Sequence, residues 1–274
     1  MFPFFVRSRD MTETITSVNN PKIKDAAKLL KSAPYRRETG RFIAEGLRLC
    51  TDAALSGISV EAAFVTADAL AKHADALSPL LNAAERIYVI TENVCDRLSD
   101  TKTAQGVFAV CAMPGDTAGD AVDPNGTYIA ADHLQNPANL GALCRTAEAL
   151  GLDGVLIGGG CDIYNPKTLR ASMGAMFRLP CYSAVRLADI LSALSAKGMT
   201  LLAAVPDAGA QKITALRPQG GKVCVVGNEG NGISDEVLAV CHTRVTIPMR
   251  GRAESLNAAA AAAILMWELV RNDG

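Results

Sequence analysis

The chain has 274 residues, 49% of them apolar, and a formal net charge of −1. That composition excludes a disordered polymer and allows one large or two modest domains, and the near-neutral charge excludes a uniformly basic nucleic-acid coat. No uninterrupted apolar run approaches the roughly 20 residues that span a bilayer, so a soluble protein is expected.

The first ten residues, MFPFFVRSRD, lack the basic start, apolar core length and small-residue cleavage site of a signal peptide. Residues 1–14 read as an N-terminal extension open to disorder, with translation starting either at Met1 or, by preference, at Met11. From Asn20 the pattern alternates. PKIKDAAKLLKS spaces Ile23, Ala26, Ala27 and Leu30 as a helix stripe, followed by strand RFIAEG and helix LRLCTDAALSG. Strand VEAAFV, helix ALAKHADALSPLLNAA, strand RIYVI, helix ENVCDRLSD and strand QGVFAVCA complete a first α/β domain, 15–112. Residues 113–123, in the Pro/Gly/Asp-rich stretch MPGDTAGDAVDPNG, read as a linker.

The second domain, 124–274, runs through strand TYIAAD, helix NLGALCRTAEALG, strand GVLIGG, helix NPKTLRASMG, strand LPCYSA and helix LADILSALSAKG. Strands TLLAAV and KVCVVG, helix SDEVLAVC, strand TRVTIP and an alanine-rich terminal helix follow. Strands alternating with helices predict a mostly parallel sheet covered on both faces.

Eight scattered cysteines without a C-x-x-C pair read as buried hydrophobes in a reducing, cytoplasmic compartment. His73, His133 and His242 share no ligand spacing, so no metal site is expected. Charge is uneven: ten basic residues through position 50 face five acids, whereas 51–123 hold eleven acids against Lys72, Arg86, Arg97 and Lys102. A basic N-terminal face that meets a polyanion and a helix merely solvated by lysines both fit that asymmetry.

Three strand ends carry polar clusters: D132-H-L-Q-N-P-A-N-L-G-A-L-C-R145, V226-G-N-E-G-N-G-I-S234 and I247-P-M-R-G-R-A-E-S-L-N257. Each has a local reading, with Asn139, Ser234 or Ser255 as helix caps and the glycines as turn formers. Ligands of open α/β sheets, however, bind beyond the carboxyl ends of strands, where three such loops would converge. Dinucleotide and P-loop fingerprints are absent, which disfavours a nucleotide-dependent oxidoreductase or ATPase.

In order and spacing the three clusters resemble the motifs of the SpoU (TrmH) family of RNA ribose 2′-O-methyltransferases, over about residues 124–271. ITSVNNPKIK, FIAEG and QGVFAV are similar to the substrate-binding domain that often precedes it. The resemblance implies a C-terminal SPOUT α/β domain with a deep trefoil knot, a smaller ribosomal-protein-like N-terminal α/β domain, and a homodimer formed through the C-terminal domain. It also implies S-adenosylmethionine as cofactor, bound by Gly227, Ile247 and Leu256, with Met249 nearby and Ala204 and Val205 from the preceding strand end. A side chain at position 227 would obstruct a backbone that approaches the ligand.

The resemblance gives the essential role to Arg145. A guanidinium that stays protonated above pKa ~12 is a poor base, so a clamp on the adjacent phosphate and on the developing alkoxide is the alternative. Asn139 is expected to orient Arg145 or the ribose, Glu229 to hold an arginine or cap a helix, and Ser255 and Asn257 to build the site wall. Arg250 and Arg252 are candidates for phosphate contact, as are Lys24, Lys28 and Lys31 in the N-terminal domain, and Ser172 in RASMGA resembles a segment beside the site. His133 and Cys144 stand at the margin of the motifs. Ribosomal RNA is the favoured substrate, with tRNA and a noncatalytic RNA-binding role as alternatives.

Overall fold

The structure, a computed structural model, describes residues 11–101, 103–115 and 122–271. Positions 1–10 of the expected extension and 116–121 of the expected linker lie outside the described residues. The chain divides into two units, Met1–Gly115 with Tyr164–Phe177, and Asp116–Ile163 with Arg178–Gly274.

In the first unit β1 (Met11–Ile15), α1 (Pro21–Lys31), α2 (Ala33–Thr39), β2 (Arg41–Glu45), α3 (Leu47–Leu55), β3 (Val60–Thr66), α4 (Ala67–Lys72), α5 (Ala74–Ala83), β4 (Arg86–Ile90), α6 (Glu92–Leu98) and β5 (Val107–Ala112) follow in order. The sheet order is β1-β4-β3-β5-β2. β1 and β3 run parallel to β4, and β5 runs antiparallel to β3 and β2.

Three local expectations are corrected here. Met11–Ile15 is an edge strand rather than part of an extension; three of the five residues of MTETI are polar and leave no apolar run, and Ile15 is buried. The single helix expected over 69–84 breaks at His73, whose φ −129 and ψ 29 are not helical. Helix α2 went unanticipated because its buried group is the arginine Arg36, which bonds the Leu30 carbonyl at 3.3 Å.

The unit boundaries give α8 (Pro166–Ser172) and most of α9 (Ala175–Arg178) to the first unit. There Tyr164 stacks on Phe42 at 4.9 Å and Leu169 is buried in the same core. Arg170 pairs with the buried Glu45 at 3.2 Å and with Asp100 at 2.7 Å. Ser172 donates to Leu169 O and is fully buried in this unit.

The second unit contains β6 (Thr127–Asp132), α7 (Pro137–Ala149), β7 (Gly154–Gly158), β8 (Cys181–Ala184), α10 (Leu187–Ala196), β9 (Thr200–Ala204), β10 (Gln211–Lys212), β11 (Lys222–Val226), α11 (Asp235–Val240), β12 (Thr243–Thr246) and α12 (Ala258–Val270). Its sheet order is β10-β12-β9-β11-β6-β7-β8, and every described pairing is parallel. β6 and β11 are buried along their whole lengths, which is why they read as continuous apolar runs. The chain moves from β6 through β7 to β8 on one side, then crosses to β9, β11 and β12 on the other, so the topological switch point lies between β6 and β11.

Helix α12 packs on α7 and on strands β6 and β11. Ala262, Leu265, Met266 and Leu269 face inward, and the run of alanines lets the helix axis approach without bulky ridges while also favouring helix formation.

Candidate active site

Parallel strand order places the carboxyl ends of β12, β9, β11 and β6 side by side, which brings Thr246, Ala204, Val226 and Asp132 to one edge. All three polar clusters therefore open on the same edge of the second unit. Their side chains interlock. Glu229, on the loop after β11, accepts Gln135 N–H at 3.0 Å, Asn136 N–H at 3.2 Å and Asn139 Nδ2 at 2.9 Å. Asn139 Oδ1 in turn accepts Asn257 Nδ2 at 3.0 Å, and Asn257 Oδ1 caps α12 through Ala259 N–H and Ala260 N–H.

The polarity of this chain of bonds is unambiguous. An ionised carboxylate only accepts and backbone N–H only donates, so both amide side chains have one possible orientation. Burial pushes the Glu229 pKa up, but hydrogen bonds from Gln135, Asn139, its own backbone and Asn136 outweigh it and hold the carboxyl below its ordinary range. Asn136, not Asn139, caps α7 through Ala138 N–H, and Asn257, not Ser255, caps α12. Ser234 stands at the N-cap of α11 but makes no side-chain cap bond.

The expected arginine partner of Glu229 is corrected: its oxygens are taken up by Asn139 and the β6–α7 backbone. Asn139 likewise bonds Glu229 and Asn257 rather than Arg145. Arg145 is exposed on α7 and makes no hydrogen bond or ion pair among the described residues. Arg250, Arg252 and Ser255 are exposed and equally unpartnered there.

The cofactor candidates divide by exposure. Ala204, Val205, Gly227 and Ile247 are half-buried at the sheet edge, whereas Met249 (40%) and Leu256 (39%) are among the few large apolar side chains left open to solvent. Between 247 and 256 no hydrogen bond to another described residue forms, so main-chain donors and acceptors stay available beside that apolar surface. This is a cradle for a ligand with an apolar ring and polar edges.

The requirement for glycine at 227 has a different origin from the one expected. A Cβ there would lie 2.2 Å from the carbonyl carbon of Gly232 and 2.3 Å from Ile233 N, because Asn228 and Gly232 close the loop as a β-bridge. The loop's own closure demands the glycine.

Two supporting residues were not singled out from sequence. Asp132 is 1% exposed and accepts Ser234 N–H at 2.7 Å and bonds His133 Nδ1 at 2.7 Å. Asn228 donates to His133 O at 2.8 Å and accepts Gly230 N–H and Asn231 N–H. An acid closing an apolar strand and an asparagine before a glycine were the available signals.

A two-unit α/β chain with interlocked polar loops and an apolar cradle at a parallel-sheet switch point defines a ligand-binding α/β enzyme class. Residues 126–267 match the family model described as SpoU rRNA Methylase family, and 20–109 match the MRM3-like substrate binding domain. The chain belongs to the SpoU rRNA methylase family, whose enzymes are RNA ribose 2′-O-methyltransferases. It is 33% identical to the 23S rRNA (guanosine(2553)-2′-O)-methyltransferase RlmP of Bacillus subtilis, over 93% of this chain and 98% of that protein. Among solved structures, the SpoU methyltransferase AviRb from Streptomyces viridochromogenes in complex with AdoMet is 27% identical, with TM-score 0.82 over 93% of this chain and 98% of that one. The AdoMet-bound rRNA methyltransferase from Sinorhizobium meliloti is 27% identical, with TM-score 0.85 over 96% and 98%.

Proposed function

We propose that the chain transfers a methyl group from S-adenosylmethionine to a ribose 2′-OH of large-subunit ribosomal RNA. The observation that supports it most directly is the Glu229–Asn139–Asn257 network, which ties the three motif loops together at the edge where the cofactor candidates lie. The similarity to a 23S rRNA enzyme over nearly the full chain supports the substrate class.

Bound S-adenosylmethionine supplies a methyl group activated by its sulfonium. Residues Ile247, Met249 and Leu256 fit its adenine by apolar cover, and the main chain at 204–205, 227 and 247–256 fits its polar edges. Arg145 carries a fixed positive charge with free N–H donors, suited to gripping a phosphate and stabilising charge on the ribose oxygen. Asn139, Glu229 and Asn257 hold the loops in register, and Ser255 is read as part of the site wall. The C-terminal segment is read as the knotted element of the SPOUT fold, and an RNA substrate supports a cytoplasmic location; no helix among the described residues is long and apolar enough to cross a membrane.

For RNA, Lys24, Lys28 and Lys31 form an exposed i, i+4, i+7 stripe on α1, backed by the buried Ile23, Ala26, Ala27 and Leu30. Lys28 lies 3.7 Å from the Tyr35 ring centroid, which orients it without neutralising it. Replacing all three lysines by glutamine is expected to weaken RNA binding and make the slope of log K against log salt shallower by about 2; an unchanged slope puts the contact elsewhere. Arg250 and Arg252, on the third motif loop, are proposed for phosphate contact as well.

Homodimerisation is supported by α12. Ile264 and Trp267, three residues apart, leave a large apolar surface open on one helix face, with Trp267 55% exposed. Trp267→Glu is expected to give a monomer in sedimentation velocity, and a persistent dimer would remove this face from the interface.

The test of the activity is transfer of labelled methyl from S-adenosylmethionine to unmodified 23S rRNA and tRNA transcripts, followed by nucleoside analysis. A 2′-O-methylated nucleoside from the rRNA supports the reading. Methylation of tRNA alone moves the substrate class, and absence of transfer to either RNA or to ribosomal particles overturns it.

A further inference from the structure

The proposed methyltransfer releases one proton, and the residues assigned above supply no acceptor for it. Arg145 is a guanidinium and stays protonated. Glu229 is occupied by three donors and held below its ordinary pKa range. Asparagine amides and the Ser255 hydroxyl are not bases at neutral pH. The nearby thiols do not serve: burial pushes Cys161 up to about 11, and Cys144, hydrogen-bonded to the free thiol of Cys181 and buried, lies well above its ordinary value.

His133 stands at this loop cluster. Its Nδ1 bonds the buried Asp132 carboxylate at 2.7 Å, Asp132 is itself held by Ser234 N–H, and the His133 side chain is 61% exposed. The backbone adds a second observation. His133 has φ +54, a left-handed conformation that costs a residue with a Cβ. Its backbone N–H donates to Gly158 O at 2.8 Å and its carbonyl accepts Asn228 Nδ2 at 2.8 Å, bonds that glycine would make with less strain. The backbone therefore has no need of the imidazole, and the ring packs over Gly159, where a Cβ would come within 2.9 Å of Nε2.

We propose that His133 is the proton acceptor of the reaction, an inference that rests on the methyltransfer reading above. With Nδ1–H directed at Asp132, Nε2 carries the lone pair of a ring that is largely open to solvent. As the ribose oxygen bonds to the methyl carbon and that carbon's bond to sulfur breaks, the hydroxyl proton passes to Nε2 and the O–H electron pair stays on oxygen. The Asp132 charge then stabilises the imidazolium. Other ionisable groups on the surrounding elements are Glu229 on the β11–α11 loop, Cys161 and Asp162 after β7, and Cys241 after α11, the last in the field of Asp132.

His133→Gly and His133→Gln test it, with methyl transfer measured in single turnover across pH and with cofactor and RNA affinities measured separately. The expected result is a rate lower by about 10²-fold, affinities essentially unchanged, a melting temperature lowered by the lost Asp132 bond and, for glycine, partly restored by relief of the backbone strain, and loss of the acid limb of the pH profile. Added imidazole should restore part of the rate of His133→Gly and not of His133→Gln, which fills the space. A near-normal rate in either variant overturns the proposal, as does a loss explained wholly by weaker RNA binding and insensitive to imidazole. If the unsubstituted protein methylates no RNA, the methyltransfer reading itself has failed; if it does and the variants match it, only the role of His133 has.

Discussion

Arg145→Lys should leave the fold intact and reduce single-turnover methyl transfer by about 10²-fold. The side chain is exposed and has no partner among the described residues, so its replacement removes no packing or ion pair, and an effect on stability within about 0.5 kcal/mol is expected. Lysine keeps the charge but replaces a planar fork by a point charge, and so cannot grip a phosphate through two parallel hydrogen bonds. Losing a donor aimed at developing negative charge typically costs ~10²–10³ in rate. A lysine variant that retains normal turnover would show that charge alone suffices and would set aside the bidentate clamp. The melting temperature, measured alongside, separates this outcome from unfolding.

The second large effect is expected at the loop network. Asn139→Asp preserves size but reverses the polarity of one end: the aspartate can still accept from Asn257 Nδ2, yet it faces Glu229 Oε1 with a second carboxylate instead of a donor. Two carboxylates at that separation disfavour joint ionisation, so one of them takes up a proton or the loops separate. A fall in activity of more than about 10-fold, with destabilisation of about 1–3 kcal/mol, is expected from a buried hydrogen bond lost at the joint of two loops. Denaturant melts and the single-turnover rate together check it; unchanged values for both would remove the network from loop positioning.

The same network sets a pH dependence. Glu229 has its folded-state pKa below the ordinary 4.5, so its contribution to stability is present above that value and is lost as pH falls through the lowered folded-state one. Acid melts of the unsubstituted protein and of Glu229→Gln should therefore differ at neutral pH and converge well below pH 4.5, where the protonated Glu229 is as uncharged as the glutamine.

Much of this protein was legible in its sequence because the relevant signals are local. Two α/β units, the strand runs Thr127–Asp132 and Lys222–Val226, and the stripe of Ile23, Ala26, Ala27 and Leu30 follow from periodicity over a few residues. The three polar clusters stood out because buried-strand ends carried more polar groups than turns require, and their order carried the family resemblance. The edge strand Met11–Ile15 escaped because its polar residues leave no apolar run, and α2 because its inward group is an arginine.

What the chain alone determined, then, was which segments become strands and helices and which residue types gather at strand ends, since both follow from side-chain chemistry along a few consecutive positions. Only the tertiary structure decided who bonds whom. It paired Glu229 with Asn139 instead of an arginine, took Tyr164–Phe177 into the first unit, and gave Gly227 its role in closing a loop on Gly232 and Ile233. It also joined His133, which the chain left at the margin of the motifs, and Asp132 into a fixed pair. The physical reason is that these bonds join residues about 90 to 120 positions apart, or depend on a backbone turn such as φ +54, and the crossing of β11 beside β6 that creates them leaves no periodic trace in either strand.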